Sequence, residues 1–315
     1  MTGLPPGFSS SGDVALDRRY RWARASLDAG EPFEACEVLR QTVEAAPGWA
    51  PAWKLLGDSL LANGAREEAR AAYEHAATLD PEGRLGARLE LARLGALGVR
   101  QAMQAGYVAA LFDEYCDRFD AHLTGRLGYR APQTVLDASR KVCVEMKRPF
   151  RFARTLDLGC GTGLMGEAIR PFTDVLTGVD LSSGMLAKAR AKAVYDELAQ
   201  GELVEFLRAQ PRAGADLVVA ADVLVYVADL QPVFSAARAA LASSGLFAFT
   251  LQSCGAAEAP QGYRLGPDNR FAHAETYLRA WASSRGFSVA HLSSAVTRQD
   301  GGRDVEGFVL VLATA

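Results

Sequence analysis

The spacing of apolar and polar positions changes about half-way along the chain of 315 residues. Before Pro149, apolar side chains recur every three or four positions, which predicts amphipathic α-helices. From Phe152 onward, short apolar runs alternate with amphipathic segments, which predicts β-strands and α-helices in alternation. The pattern therefore predicts an all-α N-terminal part followed by an α/β part.

The helical part contains an internal repeat. In residues 50–82, small and large side chains occupy positions typical of a 34-residue tetratricopeptide pattern, namely Trp53, Leu56, Gly57, Leu60, Ala69, Tyr73, Ala76 and Pro81. One period upstream is a weaker copy in which Gly30, Ala35, Leu39 and Pro47 repeat Gly64, Ala69, Tyr73 and Pro81, and Trp22 takes the place of Leu56. Two copies and a fading third, residues 84–100, predict either a partner-binding groove or a structural cap or dimer surface.

Apolar runs in the second part predict the strands of one sheet: Arg154–Leu158, Asp174–Val179, Tyr195–Gln200, Asp216–Ala221, Gly245–Leu251, Phe287–Leu292 and Gly307–Leu312. Their alternation with helices predicts a Rossmann-like, doubly wound α/β sheet that is mostly parallel, with one antiparallel late strand. Ligands of such sheets lie outside the carboxyl ends of the strands. The loops that begin at Leu158, Val179, Gln200, Ala221 and Leu251 are therefore expected to form the site.

A glycine-rich loop, LDLGCGTG, follows the first predicted strand. Glycine at every second position lets the backbone turn tightly and lets a ligand lie against it. Gly161, Gly163 and Gly166 have the spacing of a dinucleotide-binding fingerprint, which requires the strand to run up to Gly161. The alternative places Asp157 at the strand end, ahead of three alternating glycines, with Asp180 ending the second strand. The early end of the apolar run and the short distance to Asp180 favour this alternative.

The sequence resembles class I methyltransferases that use S-adenosylmethionine (AdoMet) as cofactor. LDLGCGTG is similar to their first motif, and GVDLSSGMLAKAR is similar to their second. From about Trp53 to the end, the order of helical repeats, segment 111–120, the Leu127–Arg130 segment and the glycine loop resembles bacterial tetratricopeptide-containing methyltransferases. A weaker resemblance to ubiquinone-biosynthesis-type methyltransferases covers the α/β part alone. The resemblance implies an AdoMet-dependent methyltransferase (EC 2.1.1.-).

The resemblance also implies a set of cofactor-binding residues. Asp157 supplies negative charge for the amino group of AdoMet, directly or through water, and Asp180 accepts hydrogen bonds from the ribose hydroxyls. Leu181 and Met185 pack around the adenine, although Met185 equally fits a helix–sheet core. Glu202 either approaches the adenine amino group or begins the helix that follows. Further contacts are expected from the loop and from a segment, residues 112–119, that folds over the cofactor: Gly159, Cys160, Gly161, Gly163 and Tyr115.

Candidates for the acceptor side follow the fourth predicted strand and precede the last predicted helix. Asp222 and Tyr226 match positions that line the cofactor or acceptor pocket in the resembling enzymes, although Asp222 also fits a turn cap. His273 is a candidate base that removes the acceptor's proton, or else a helix cap. Arg270 is a candidate for holding an acidic acceptor. No Asn-Pro-Pro-Tyr segment follows the fourth strand, which disfavours amide and exocyclic-amine acceptors.

Composition narrows the classes of function. Hydrophobic residues make up 49%, charged residues 23%, and the formal net charge is −3. These values predict a globular protein whose partners include neither nucleic acid nor membrane. Five scattered cysteines, with no paired spacing, predict neither disulfides nor a metal site and favour a cytoplasmic location. The first residues lack the pattern of a secretory signal.

Together these patterns predict a flexible tail (1–13), a tetratricopeptide-like helical domain (14–100), connecting helices that form a cofactor lid (101–150) and an AdoMet-binding methyltransferase domain (151–315). The predicted activity is methyl transfer to an unidentified acceptor, a protein or a small molecule, that the repeats recruit or enclose. Two alternatives stay open: a repeat-based scaffold protein with a vestigial AdoMet fold, and an oxidoreductase that uses NAD or NADP. The sequence predicts neither the acceptor atom nor the oligomeric state.

Overall fold

The computed structural model describes residues 10–120, 129–300 and 303–314. The chain divides into two compact units, Met1–Glu114 and Tyr115–Ala315. Most of the predicted tail, and the first two residues of the Leu127–Arg130 segment, lie outside the described residues. The boundary between the units falls inside the predicted connecting segment 101–150, so the helices of this segment are divided between the two units.

The first unit is all-helical in its described residues: α1 (Val14–Asp28), α2 (Pro32–Ala45), α3 (Ala50–Ala62), α4 (Arg66–Leu79), α5 (Ala87–Arg93) and α6 (Ala105–Tyr115), whose last residue begins the second unit. Asp13 begins α1, because its side chain accepts hydrogen bonds from the backbone N–H groups of Ala15 and Leu16. Buried apolar side chains of α1–α5 form one core.

The helix pairs α1–α2 and α3–α4 repeat with nearly the same offset. Three of the four equivalent helix ends are 34 residues apart, from 28 to 62, from 32 to 66 and from 45 to 79, and the starts at 14 and 50 are 36 apart. The turns between the helices contain Gly30 and Gly64, whose φ angles are 82° and 81°. Glycine adopts this left-handed conformation at no steric cost, which explains its recurrence at both turns.

Close packing inside the second pair depends on a glycine. A Cβ atom at Gly57 would lie 2.4 Å from the ring of Tyr73, so α3 and α4 approach each other because position 57 has no side chain. The predicted equivalence of Trp22 and Leu56 is wrong in burial, since Trp22 is 54% exposed and Leu56 is 3% exposed. The physical reason is position: within the described residues no helix precedes α1 to cover that side.

The second unit alternates strands and helices. Its helices are α7 (Ala131–Glu145), α8 (Leu164–Ile169), α9 (Ser183–Lys192), α10 (Leu203–Ala209), α11 (Gln231–Ala240) and α12 (Glu275–Ser284). Its strands are β1 (Phe152–Leu158), β2 (Thr173–Asp180), β3 (Glu197–Gln200), β4 (Ala215–Ala220), β5 (Leu241–Cys254), β6 (Tyr263–Leu265), β7 (Phe271–Ala274), β8 (Phe287–Asp300) and β9 (Arg303–Thr314).

One sheet joins these strands. The order β3-β2-β1-β4-β5 is parallel throughout. β9 pairs antiparallel with β5, and β8 pairs antiparallel with β9. The Rossmann-like, mostly parallel sheet with an antiparallel late strand is therefore confirmed. The chain adds β2 and β3 on one side of β1 and then β4 and β5 on the other. The carboxyl ends of β1, β2 and β4 therefore lie side by side, where ligands of such sheets lie.

A hairpin of β6 and β7 interrupts the predicted order. β7 pairs in parallel with the last residues of β5, Gln252–Cys254, beyond the point where β4 ends. The predicted strand Gly245–Leu251 is accordingly shorter than the observed β5. The segment Arg270–Tyr277 was expected as a loop leading into a helix, and four of its residues instead form β7.

Helices cover both faces of the sheet. α7 and α8 pack on one face, with Val142 and Ile169 among their buried residues. α10, α11 and α12 cover the other, where Phe234 lies among the buried aromatic residues. None of the helices in the described part of the chain has the length and apolarity that a membrane crossing requires.

Candidate active site

The glycine loop begins where β1 ends. Gly159, Gly161 and Gly163 have φ angles of 60°, 55° and 94°, in the left-handed region that side-chain-bearing residues rarely adopt. Cys160 points inward between them, is 4% exposed, and donates its backbone N–H to Val179 O at 2.9 Å. Because β1 ends at Leu158 and not at Gly161, the parse with Asp157 ahead of three alternating glycines is the one that the structure follows.

Asp180 ends β2 and ties the glycine loop to the next strand. Its Oδ2 accepts a hydrogen bond from the backbone N–H of Gly161 at 2.9 Å, and its Oδ1 accepts one from Ser182 at 2.8 Å. These bonds fix the orientation of a partly exposed carboxylate at the carboxyl edge of the sheet. The arrangement suits the predicted contact with ribose hydroxyls, because a carboxylate oxygen can accept more than one hydrogen bond.

Asp157 lies beneath the loop and is 1% exposed. Tyr195 donates its hydroxyl proton to Oδ2 at 2.6 Å, whereas Oδ1 is buried and has no hydrogen-bond partner among the described residues. The pKa of Asp157 is raised to about 7, chiefly by burial; the hydrogen bond from the Tyr195 hydroxyl opposes this rise, and the charge of Asp180 adds to it. A buried carboxylate oxygen without a donor is costly, so this site fits a ligand that carries a cationic amino group, as AdoMet does.

Three residues were predicted to face the adenine, and they differ in exposure and in bonding. Leu181 is partly exposed beside the loop, and its carbonyl accepts a hydrogen bond from Gln200 Nε2 at 3.1 Å. Met185 is 1% exposed, which agrees with the helix–sheet core alternative. Glu202 begins α10, because its Oε2 accepts from the backbone N–H groups of Val204 and Glu205. The helix-start alternative for Glu202 is thus observed, and its contact with adenine stays a prediction.

The segment Tyr115–Asp120 lies over the glycine loop within the second unit. A Cβ atom built on Gly161 would lie 3.9 Å from Phe119. Asp120 accepts a hydrogen bond from the Thr162 hydroxyl, and its other oxygen is 3.1 Å from Lys192 Nζ. The ring of Tyr115 packs edge-to-face against Phe119. Direct contact of Tyr115 with the cofactor stays a prediction.

The end of β4 supplies the predicted acceptor side. Asp222 has a φ of 58°, a strained conformation that clusters at functional sites. Its backbone N–H donates to Thr250 Oγ1 at 2.9 Å. The next residue, Val223, fills the space beside Gly159, where a Cβ atom would lie 2.2 Å from its methyl group. The Tyr129 hydroxyl donates to Ala221 O at 3.3 Å, which places a residue from before α7 at this edge.

Arg270 connects the hairpin to the end of β4. Its Nε donates to the Tyr226 hydroxyl at 3.1 Å, and a terminal nitrogen lies 3.8 Å from Asp268. Gln252 Nε2 donates to Asp268 at 2.9 Å. Burial opposes the charge of Arg270, but Tyr226, Asp222 and Asp268 outweigh it and raise its pKa. The group is therefore a permanent, nearly buried cation in contact with a predicted catalytic tyrosine.

The prediction for His273 needs correction, because this residue is not on a loop ahead of a helix. It lies inside β7, is 0% exposed, and its Nε2 is 3.0 Å from Ala228 O. Burial lowers its pKa to about 4, against the opposing effect of the Ala228 carbonyl. Its Nδ1 is also buried and has no partner among the described residues. A base must reach the proton that it removes, and the structure surrounds His273 with side chains of the hairpin and α12, Tyr263 and Tyr277.

Sequence reasoning missed two residues that the fold brings to this edge, Tyr195 and Thr250. Each is far in sequence from its partner, because Tyr195 bonds to Asp157 and Thr250 bonds to Asp222. Phe119 and Asp120 belong to the segment 111–120, and Gln200 begins one of the loops expected to form the site. One usable signal existed for Tyr195, since Gly166 and Gly178 extend the series of glycines beyond the loop and indicate a large neighbouring side chain.

Comparison with known families decides the class of this site. Residues 156–247 match the family model described as "Methyltransferase domain". The chain contains a methyltransferase domain. The match starts in β1 and includes the glycine loop, Asp180 and the end of β4, but not the segment Tyr115–Asp120, Thr250 or Arg270. The domain is of class I, and AdoMet is its cofactor, as the sequence predicted.

Two curated relatives show the range of similar proteins. The chain is 28% identical over 142 residues to the ubiquinone biosynthesis O-methyltransferase of Xylella fastidiosa, which covers 43% of this chain and 58% of that one. It is 33% identical over 151 residues to the malonyl-[acyl-carrier protein] O-methyltransferase of Enterobacter lignolyticus, with 45% and 59% covered. The chain thus spans less than two thirds of the length of these relatives.

One solved structure is similar to part of this chain. The 1,6-didemethyltoxoflavin-N1-methyltransferase of Burkholderia thailandensis, solved with its substrate and S-adenosylhomocysteine, is 16% identical at a TM-score of 0.48. The similarity covers 66% of this chain and 89% of that one.

Proposed function

We propose that this chain is an enzyme that transfers the methyl group of AdoMet to an oxygen atom of a small molecule. The observation that carries the proposal is the edge formed by three left-handed glycines, the oriented carboxylate of Asp180 and the buried, unsatisfied oxygen of Asp157. Two charged groups and a bare backbone loop fit the ribose, the amino group and the chain of AdoMet. They offer no cluster of donors for the pyrophosphate of a dinucleotide.

The chemistry is a displacement at carbon. When bound, AdoMet supplies a methyl group whose bond to the sulfonium sulfur breaks as the bond to the acceptor oxygen forms; the bonding pair stays on sulfur, and the acceptor loses a proton. The protein holds both reactants in line and excludes water, which are the main requirements of such a step. Asp157, Asp180 and the glycine loop hold the cofactor, and the segment Tyr115–Asp120 covers the loop.

The acceptor is proposed to lie at the ends of β4 and β5. Asp222 and Tyr226 lie there, with Arg270 bonded to the Tyr226 hydroxyl. Because His273 is buried, Tyr226 or Asp222 is the better candidate to take the acceptor's proton, and Arg270 stabilises negative charge on the phenolic oxygen. The names of the two relatives reported above, both O-methyltransferases, support an oxygen acceptor.

The helical unit is proposed to consist of two tetratricopeptide-like repeats. The offset of 34 residues at three of the four equivalent helix ends and the left-handed glycines at both turns support this. We propose that the repeats recruit or enclose the acceptor, with a structural cap as the alternative. A scaffold protein with an inactive domain is less well supported, because Gly159, Gly161 and Gly163 all adopt left-handed conformations, which a loop that no longer binds a ligand has no need to keep.

Calorimetric titration of the purified full chain with AdoMet, S-adenosylhomocysteine, NAD and NADP tests the cofactor assignment. Micromolar binding of AdoMet or its demethylated product, with no binding of NAD or NADP, is the expected result. Binding of NAD alone would favour the oxidoreductase, and binding of none of the four would favour the scaffold.

Methyl transfer is then measured with methyl-labelled AdoMet and a panel of phenols, hydroxy acids and carboxylic acids. The Asp180→Ala variant is the negative control. Label that enters an ether or ester product, and that requires Asp180, supports the oxygen acceptor. Label that enters only amines would contradict it.

A further inference from the structure

Tyr195 lies directly ahead of β3 and belongs to none of the predicted site residues. Its hydroxyl donates to Asp157 Oδ2 at 2.6 Å, which is short for a neutral donor and typical of a bond to a charged oxygen. Burial and the neighbouring Asp157 raise the pKa of Tyr195 well above its ordinary value. The hydroxyl therefore keeps its proton and remains a donor over the whole physiological range.

Three glycines from three different elements make room for this ring. A Cβ atom at Gly163 in the loop would lie 3.1 Å from a ring carbon of Tyr195, one at Gly178 in β2 would lie 2.9 Å away, and one at Gly166 in α8 would lie 2.3 Å from the ring and the hydroxyl oxygen. The distance at Gly163 is tighter than an ordinary contact, and those at Gly166 and Gly178 are clashes; at Gly178 the Cβ atom would also lie 2.9 Å from Leu198. We call Gly163, Gly166 and Gly178 the glycine socket.

The socket explains a glycine that the cofactor does not. Gly166 follows the three loop glycines, lies inside α8 and has no positive φ. A glycine in a helix interior is unfavourable by up to about 1 kcal/mol relative to alanine, so its presence there indicates a specific packing requirement. The Tyr195 ring meets that requirement, because an alanine methyl group at position 166 would occupy the place of the hydroxyl.

We propose that Tyr195 is a positioning residue for the cofactor: it anchors Asp157 through Oδ2, so that Oδ1 remains to receive the amino group of AdoMet. The carboxylate group of an aspartate rotates about the Cβ–Cγ bond, so fixing one oxygen presents the other in a defined direction, and the socket holds the donor that fixes it. This inference rests on the proposed function, since it assigns a role within the same AdoMet site.

The hydrogen bond also controls the charge of the site. The titratable groups that face Asp157 are Tyr195 ahead of β3, Asp180 at the end of β2 and Cys160 in the loop after β1. Asp180 disfavours a second negative charge, and Cys160 stays neutral because burial raises its pKa. Tyr195 is thus the neighbour that stabilises the ionised form of Asp157, which an ammonium ligand requires.

The test is the AdoMet dissociation constant of Tyr195→Phe from pH 6 to pH 8.5. Phenylalanine keeps the ring in the socket and removes only the donor. We expect binding at pH 7 to be roughly tenfold weaker, as for loss of one bond to a charged group, and the pH at which binding reaches half its limit to rise. Tyr73→Phe is the matched control, because Tyr73 donates to Asp58 at 2.9 Å within the helical unit, and it should leave both quantities unchanged.

A double-mutant comparison separates positioning from general loosening. Asp157→Asn removes the charge that Tyr195 is proposed to act through, so adding Tyr195→Phe to it should weaken binding by less than twofold. Additive effects of the two substitutions, or an unchanged AdoMet affinity and pH profile in Tyr195→Phe, would overturn the inference. Thermal unfolding of each variant checks that the second unit is folded. Failure of the unmodified protein to bind AdoMet would instead refute the proposed function.

Discussion

The two halves of the active-site edge are built in different ways. In the cofactor half, Asp157, the glycine loop and Asp180 lie within 24 consecutive residues (157 to 180), and backbone conformation does most of the positioning. In the acceptor half, Asp222, Tyr226, Thr250 and Arg270 come from three separate segments. Hydrogen bonds to side-chain hydroxyls join Asp222 to Thr250 and Arg270 to Tyr226. The first half is therefore a local property of the sequence, and the second is a property of the assembled sheet.

The difference predicts which substitutions each half tolerates. A site made of left-handed glycines fails when any side chain is added, whereas a site made of side-chain bonds changes with the chemistry of each group. The cofactor half should thus respond in both folding and AdoMet binding, and the acceptor half in turnover. The substitutions below test whether effects on folding and AdoMet binding can be separated from effects on turnover.

Gly159→Ala should have the largest effect. The added Cβ atom would lie 2.2 Å from Val223 at a φ of +60°, so strain and a clash with the β4 end combine. We expect a loss of about 2–4 kcal/mol in the free energy of unfolding and loss of measurable AdoMet binding. Gly201→Ala is the control, because its Cβ meets nothing within 4 Å. Near-normal stability and binding of Gly159→Ala would refute the account of the loop.

Asp180→Ala should weaken AdoMet binding by about 1–3 kcal/mol with a smaller loss of stability. The substitution removes the predicted ribose contact and the acceptor for the N–H groups of Gly161 and Ser182. Asp174→Ala is the matched control, since Asp174 lies at the opposite end of β2 and is paired with Arg151 at the surface. Calorimetry of both variants decides the matter, and wild-type affinity in Asp180→Ala would remove Asp180 from the binding site.

The same contrast explains how much could be predicted from the sequence. The order of strands along the chain and the end of β1 follow from local apolar runs and from Asp157 and Gly159, so the mostly parallel sheet and the start of the glycine loop were predicted correctly. The roles of the cofactor-binding residues stay predictions. Tyr195 escaped prediction because its contact with Asp157 spans 38 residues and depends on the pairing of β1 with β2 and of β2 with β3. Gly166 and Gly178 indicate only that a large side chain lies nearby, and no local pattern identifies that side chain as Tyr195.

His273 shows the corresponding failure in the acceptor half. A histidine ahead of an amphipathic helix has the pattern of a loop residue, and four residues, Phe271–Ala274, are too few to show strand periodicity. These four residues form β7 because they pair with the last residues of β5, and this pairing buries the imidazole of His273. Tertiary pairing, and not propensity, decided the environment of this group.

His273→Gln should alter stability in acid and leave methyl transfer unaffected. The folded pKa of about 4 is below the ordinary value near 6.5, so the unfolded chain binds more protons between these values and stability falls as pH falls from 6.5 toward 4. At pH 5 the wild-type protein should have lost about 2 kcal/mol of its free energy of unfolding through this histidine. The variant has no imidazole to protonate and should not show this loss.

Because the pKa of Asp157 is raised in the folded state, its protonation increases stability as pH falls over the same range. This effect is the same in the wild type and in His273→Gln. The difference between wild type and variant in urea-induced unfolding at pH 5 and pH 7 is therefore the quantity to measure. A large fall in turnover at pH 8 with normal stability would restore the histidine as a base.

Arg270→Gln should have the smallest effect of the series and the most selective one. Glutamine keeps a donor for the Tyr226 hydroxyl but removes the nearly buried charge, so we expect kcat to fall roughly tenfold while the AdoMet dissociation constant stays within twofold. Arg264→Gln on the neighbouring strand β6 is the control, because Arg264 pairs with Glu258 at the surface. Turnover is assayed with the acceptor that the labelled screen identifies. If Arg270→Gln instead weakens AdoMet binding as strongly as Asp180→Ala does, the two halves are not separable, and the cation of the hairpin belongs to the cofactor site.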